Sequence, residues 1–273
     1  MIKLLGLIAA SAMLVLSAAP ARAQSSAEAG ISNIIIQLSD LDPADGIAPS
    51  LTYYNFQFGP IAGWEIYDEH ARDLRGDTNT ASTPLAPVSI SHSRNELPHL
   101  RSELAAGIRG ATLADTSLFA SASTVDTIGA NTSSAYLQSQ NVWFALSPHT
   151  RVTLTADLSV RSSAGPIAGP GLHAVAYASA AMALFSWSEN VSQTAQLYHN
   201  AVFGENRGPG WDRTYSVSVS NNSASGSDYV MGMSVNARTY TSTVIPAPVP
   251  EPASMLMLLA GLGILAIHRR RSS

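Results

Sequence analysis

The densest group of chemistry-bearing side chains is WEIYDEH at 64–70, which brings Glu65, Asp68, Glu69 and His70 into one short segment. Two carboxylates held about 5 to 9 Å apart across a groove can serve as the acid and base of a glycosidase. On a strand of period two, Glu65 and Tyr67 share one face, and Asp68 and His70 share the other. The spacing admits that chemistry without requiring it, because any acidic surface segment has it too. LDPADG at 41–46 places Asp42 and Asp45 around Pro43 and ahead of Gly46. Asp, Pro and Gly each favour a turn. Two carboxylates in one turn are also a weak candidate for Ca2+, a hard cation that takes roughly six to eight oxygens. The segment lacks the EF-hand pattern and its closing glutamate, so the turn is the expectation and calcium the alternative.

Other catalytic and ligand signals are thin. His92, His99, His149, His173 and His199 are scattered without metal-ligand spacing. No GxSxG, HExxH or SxxK motif occurs. GENRGPGW at 204–211 is glycine-rich but follows no phosphate-binding template. The absence of cysteine removes disulfides, Cys-ligated zinc, iron–sulfur clusters and thiolate nucleophiles. All 19 aromatic residues lie between Tyr53 and Tyr240. Exposed rings could form a carbohydrate platform, with Tyr53, Tyr54, Trp64 and Trp211 as candidates. The favoured reading is that aromatics fill the core, Trp143 and Trp187 in particular, with the platform as the alternative. No cofactor and no enzymatic activity are expected.

The elements that would position these groups read as strands. ISNIIIQLS (31–39), LTYYNFQF (51–58), LAPVSISH (85–92), ATLADTSLFASAST (111–124) and AYLQSQNVWFAL (135–146) are β-branched, aromatic or partly alternating. RVTLTADLSVR (151–161) alternates cleanly, with Val152, Leu154, Ala156, Leu158 and Val160 on one face. LHAVAYASAAMALFSW (172–187), 191–203 and RTYSVSVS (213–220) follow. NNSASGS (221–227) then reads as a hairpin loop leading into a return strand over 228–243. LPHLRSELAAGIR (97–109) reads as a short helix, with Leu100, Leu104 and Ile108 four apart. Nine or ten strands with serine- and glycine-rich turns predict an all-β ectodomain of sandwich type, a jelly roll being one form of it.

The chain ends differ from the middle. Lys3, the apolar run 4–19 and Ala21-Arg22-Ala23 form a signal peptide, with cleavage expected before Gln24. At the other end, PAPVPEP (246–252) is too proline-rich for a helix or central strand. It leads into the apolar run Ala253 to Ile267, then His268, Arg269, Arg270 and Arg271. That apolar helix is about 22 Å long, short for the ~30 Å hydrocarbon core. It would span only with local thinning, and the arginines would stay on the cytoplasmic side. An ordinary single-pass anchor is the alternative.

The order of these features resembles the PEP-CTERM sorting signal of Gram-negative bacteria. Pro250-Glu251-Pro252 matches the name-giving triplet, followed by the short helix and the Arg269–Arg271 tail. The resemblance covers about the last 26 residues. It implies a precursor held at the inner membrane and processed by exosortase near the triplet, then delivered to the cell surface or extracellular matrix. It implies hosts that make exopolysaccharide, and nothing about the activity of the ectodomain. Ser147-Pro148-His149-Thr150, ahead of the 151–161 strand, is also similar to a turn that opens a core strand in ectodomains of this kind.

Charge narrows the partners. The whole chain carries −4, but residues 24–250 hold ten arginines, no lysine and 18 acidic residues, a balance of −8. Such a surface repels anionic polymers and excludes a nucleic-acid partner. The expectation is an exported structural or adhesive protein of an exopolysaccharide matrix, organised as 1–23 signal peptide, 24–245 ectodomain, 246–252 linker and 253–273 sorting helix and tail. Its processing partners would be signal peptidase and exosortase. A carbohydrate-binding module is the first alternative and a secreted hydrolase the second.

Overall fold

The computed structural model describes residues 23–54, 60–68, 72–81, 87–97, 100–110, 115–126, 129–139, 142–165, 172–186, 189–202 and 210–243. These segments are all-β. In chain order they form β1 (Ala23–Asp40), β2 (Leu51–Tyr53), β3 (Ile61–Asp68), β4 (Asp73–Thr80), β5 (Val88–Leu97), β6 (Leu100–Arg109) and β7 (Ser117–Asp126). There follow β8 (Gly129–Gln138), β9 (Val142–Leu146), β10 (Thr150–Ala164), β11 (Leu172–Ser186), β12 (Val191–Val202), β13 (Trp211–Asn221) and β14 (Ser227–Thr243). Among the described residues no helix is long and apolar enough to cross a membrane. The expected signal-peptide and sorting helices lie outside the described residues.

The strands assemble into two curled antiparallel sheets. One has six strands in the order β13-β10-β1-β7-β6-β5, and the other eight, with β12-β11-β14-β8-β3-β4 in line and β9 and β2 continuing alongside β14. Period-two patterning builds both. In β10, Val152, Leu154, Ala156, Leu158 and Val160 point inward and are at most 1% exposed. Inward residues of both sheets merge into one core.

That core changes character along its length. At one end Ile31, Ile108 and Leu118 belong to the six-stranded sheet, and Phe144, Tyr229 and Met231 to the other. The Phe144 and Tyr229 rings stack with centroids 5.8 Å apart. At the opposite end the sheets are joined by hydroxyls. Ser102 meets Ser133 at 3.0 Å, Thr124 meets Thr239 at 2.7 Å, and Ser162 meets His199 Nδ1 at 2.6 Å. Each pair satisfies two buried polar groups, which would otherwise cost about 1–3 kcal/mol apiece.

Both ends of the described domain lie at this polar end. Ala23 pairs with Asp126, and Thr243 pairs with Gly129 and Leu172. The expected cleavage site thus falls at the first residue of β1, and the carbonyl of Gln24 accepts a hydrogen bond from Gly165. β14 is a central strand, paired with β11 along 14 residues and with β8 along ten.

Three expectations are corrected and one strand is added. Residues 100–109 are strand β6, not helix. A spacing of four satisfies a period of two as well, and Ser102, Leu104, Ala106 and Ile108 form one buried face. Residues 135–146 are two strands, β8 and β9, rather than one. The 221–227 loop is not a hairpin. β13 pairs with β10 in one sheet while β14 belongs to the other, so the loop arches between sheets. The Asn221 side chain shapes that arch by donating to the carbonyls of Leu146, Ser147 and Ser225. Finally, β4 was absent from the sequence reading. Its DLRGDTNT residues are exposed on both sides, so no burial pattern marks it. Its charges suit an edge that must not pair with another chain.

Candidate functional site

The turn at 41–46 is built as its residue types predict. Asp42 Oδ1 accepts from the Ala44 amide, Asp45 Oδ1 from the Ile47 amide, and the Asp45 amide donates to the Asp42 carbonyl. Gly46 takes a positive φ of 71°. The Leu41 amide donates to the His149 carbonyl at 2.7 Å, which fastens this turn to the one between β9 and β10. In that second turn, Ser147 and Thr150 hydroxyls meet at 2.7 Å and His149 has φ 48°. The result sets His149 beside Asp42 and Asp45, with ligand-capable atoms of all three within 4.8 Å of one another. Sequence spacing could not show this, because His149 is over a hundred residues away. The Asx-turn hydrogen bonds already account for one oxygen of each carboxylate.

The four carbohydrate candidates are not brought together. Trp64 is core, 8% exposed, and stacks on His92 with ring centroids 3.9 Å apart. It occupies an inward position of β3, and its flat ring fills the space between sheets. Tyr53 is exposed, with its ring edge-on to Phe144. The neighbouring Tyr54 phenol is pushed up to about 12 by burial first, then by its hydrogen bond to Asp228 and that residue's charge. Trp211 is exposed at the start of β13, edge-on to His199 and under the Arg213 guanidinium. Trp143, expected in the core, points outward between the buried Val142 and Phe144 and is half-buried.

The acidic cluster separates as period two requires. Asp68 is buried at the inner face of β3, and Glu65 and Tyr67 are on its outer face. Glu69, His70, His99, Trp187, Ala21, Pro250, Glu251, Pro252 and Arg269 to Arg271 lie outside the described residues.

Glu65 and Tyr67 open onto a feature the sequence did not reveal. Outer residues of β3, β8 and β14 line a groove of about 400 Å3, formed by Glu65, Tyr67, Thr132, Tyr136, Asn236 and Arg238 with their neighbours. Register fixes who stands beside whom. Glu65, Ser134, Arg238 and Tyr177 form one cross-strand row, and Tyr67, Thr132, Tyr240 and Val175 form the next. A third row is Gly63, Tyr136, Asn236, Ser179 and Tyr198. Tyr136 lies across Gly63: a Cβ added there would meet the phenol carbon at 2.5 Å and its oxygen at 2.6 Å. Glycine is what lets the ring approach the neighbouring backbone so closely. Burial, and then the Glu65 charge, raise the Tyr136 pKa. Asn236 Oδ1 is buried with no hydrogen-bond partner.

This outer face holds most of the phenols. Of nine tyrosines, Tyr215 on β13 is the one carried by the six-stranded sheet. Strand patterning put Tyr67 on the face of Glu65 and said nothing of Tyr136 or Tyr240. Their assembly depended on inter-strand register, which no single strand encodes.

Residues 248–272 match the family model of the PEP-CTERM protein-sorting motif. That motif supports an exported, membrane-processed precursor of the kind sorted by exosortase in Gram-negative bacteria. Searches of curated proteins and of solved structures returned no match.

Proposed function

We propose that the protein is a structural or adhesive component of an extracellular exopolysaccharide matrix. Signal peptidase releases it from its leader before Gln24, and exosortase processes it near Pro250-Glu251-Pro252. The apolar segment that follows holds the precursor at the inner membrane by its arginine tail until that cut. The ectodomain is then a β-sandwich at the cell surface. The sorting-motif match at 248–272 is the observation that carries this reading. A non-enzymatic role is supported by β3, where Glu65 and Asp68 stand on opposite faces and therefore cannot share a catalytic groove. Intact-mass analysis of the mature chain, together with cell fractionation, tests the route. The expected product begins at Gln24 and lacks Arg269 to Arg271. A mature chain that retains those arginines and stays in the inner membrane would refute the sorting claim.

A further inference from the structure

We propose that the groove over β3, β8 and β14, with the tyrosines beside it, is a binding platform for an uncharged polysaccharide chain. The proposal rests on the matrix destination argued above and names the class of polymer the protein would hold. Shape comes first. Tyr67 and Tyr240 stand in one row, two strands apart, so their backbones are about 10 Å from each other. The Tyr136 ring, drawn over Gly63, lies between neighbouring strands instead of standing upright. A sugar ring has apolar C–H faces and a hydroxyl rim. It therefore pairs with amphipathic rings that present an apolar body and a polar tip.

Polar chemistry is the second argument. Among the described residues Arg238 makes no ion pair, and Asn236 Oδ1 accepts no hydrogen bond. A buried acceptor left idle is costly, and a hydroxyl donor is the group that would relieve it. Thr132 and Ser134 supply further hydroxyls on the same face.

Charge decides between polymers. The groove holds one carboxylate, Glu65, and one guanidinium, Arg238, while the ectodomain around it carries −8. A polyanion would meet net repulsion with no local cationic cluster to offset it, whereas an uncharged chain meets none. The path is also long. On β11 and β14 the same face continues past Ser234 to a second depression of about 350 Å3, lined by Ala181, Ala183, Gly232 and Phe185. An open track of this kind suits a polymer crossing the sheet more than a single sugar.

Native affinity electrophoresis of the full chain in mild detergent tests this, with hydroxyethylcellulose, mannan and dextran as neutral probes and alginate as the anionic one. The expected result is retardation by at least one neutral polymer and none by alginate. Tyr67→Ala and Tyr240→Ala suit the test because their rings are 42% and 38% exposed, so folding should survive. Each should weaken retention roughly tenfold, with an unchanged melting temperature. Tyr136→Ala should weaken it further. Absence of retardation by every neutral polymer, retardation by alginate alone, or full retention in the Tyr67→Ala/Tyr240→Ala double variant would each overturn the proposal. Binding is read on purified protein and the sorting route on the mature terminus, so either can fail without the other.

Discussion

The two outer faces of the molecule are made from the same strand geometry and differ almost entirely in side-chain size. On the six-stranded sheet, rows such as Ser26, Ser123, Glu103 and Ser93, or Glu28, Ser121, Ala105 and Ser91, are small or acidic and floor a depression of about 420 Å3 with no aromatic ring but His92 at its edge. On the eight-stranded sheet, tyrosines and long polar side chains rise above the backbone and leave a groove between them. The lesson is that a depression alone does not distinguish the faces, and that the phenols around it do. Gly63 beneath Tyr136 is the clearest case, because the absent Cβ is what lets the ring lie down.

The contrast is sharpest at its glycines. Gly107 on the serine-rich face faces fixed backbone: an added Cβ would meet the Val88 carbonyl oxygen at 2.5 Å and Ser89 Cα at 2.9 Å. Gly63 on the other face meets only a side chain. Gly107→Ala should therefore be the most damaging of these changes, costing about 2–3 kcal/mol in chemical denaturation. Gly63→Ala should cost only about 1 kcal/mol, because the Tyr136 ring can move away, yet it should weaken polysaccharide retention about as much as Tyr136→Ala does. If Gly63→Ala proves the more destabilising, Tyr136 is a packing element and the distinction between faces is lost.

pH should separate the faces next. Asp157, on the outer face of β10, is held below the ordinary carboxylate range by hydrogen bonds from Asn33 and then Thr214. A lowered folded pKa contributes stability above the unfolded value. That contribution is lost as pH falls through the folded one. The phenols act in the opposite sense. Tyr54 and Tyr136 are raised, chiefly by burial, so their contribution is complete below about pH 10 and is lost at higher pH, for Tyr54 as pH rises toward 12. Melting temperature against pH should show an acid limb that Asp157→Asn flattens and an alkaline limb that Tyr54→Phe flattens. Phenolate absorbance of a Glu65→Gln variant should show Tyr136 ionising at lower pH than in the parent. The smallest effect is expected from Ser91→Ala with Ser121→Ala. Together they should change stability by less than about 0.5 kcal/mol and leave retention on neutral polymers intact.

Much of this architecture was written in single strands. The period of two in β10 marked its core face, and the runs behind β11 and β12 marked those segments as strands. What failed depended on information between strands. Leu100, Leu104 and Ile108 fit helix and strand spacing equally, and only pairing with β5 and β7 resolves them. The 221–227 segment has hairpin composition, but Asn221 ties its base to the β9 end of the other sheet. β4 had no apolar rhythm to read. For the groove, the tyrosines were visible and their adjacency was not. Trp143 was misjudged for a related reason, since an aromatic ring looks the same in sequence whether it faces outward or lies in the core, as Trp64 does against His92.

The position of β14 has a mechanical consequence. The sorting motif begins five residues beyond Thr243, so any tension carried by the tail enters the domain at the end of this strand. β14 is laced to neighbours on both sides, and a pull along its axis loads those rungs together in shear instead of peeling them one by one. The hydroxyl pair of Thr239 and Thr124 adds a crosswise pin to the opposite sheet near the point of loading. A protein tethered through its tail in a flowing or swelling matrix would thus be gripped by a central strand with a long ladder on one side and a second on the other.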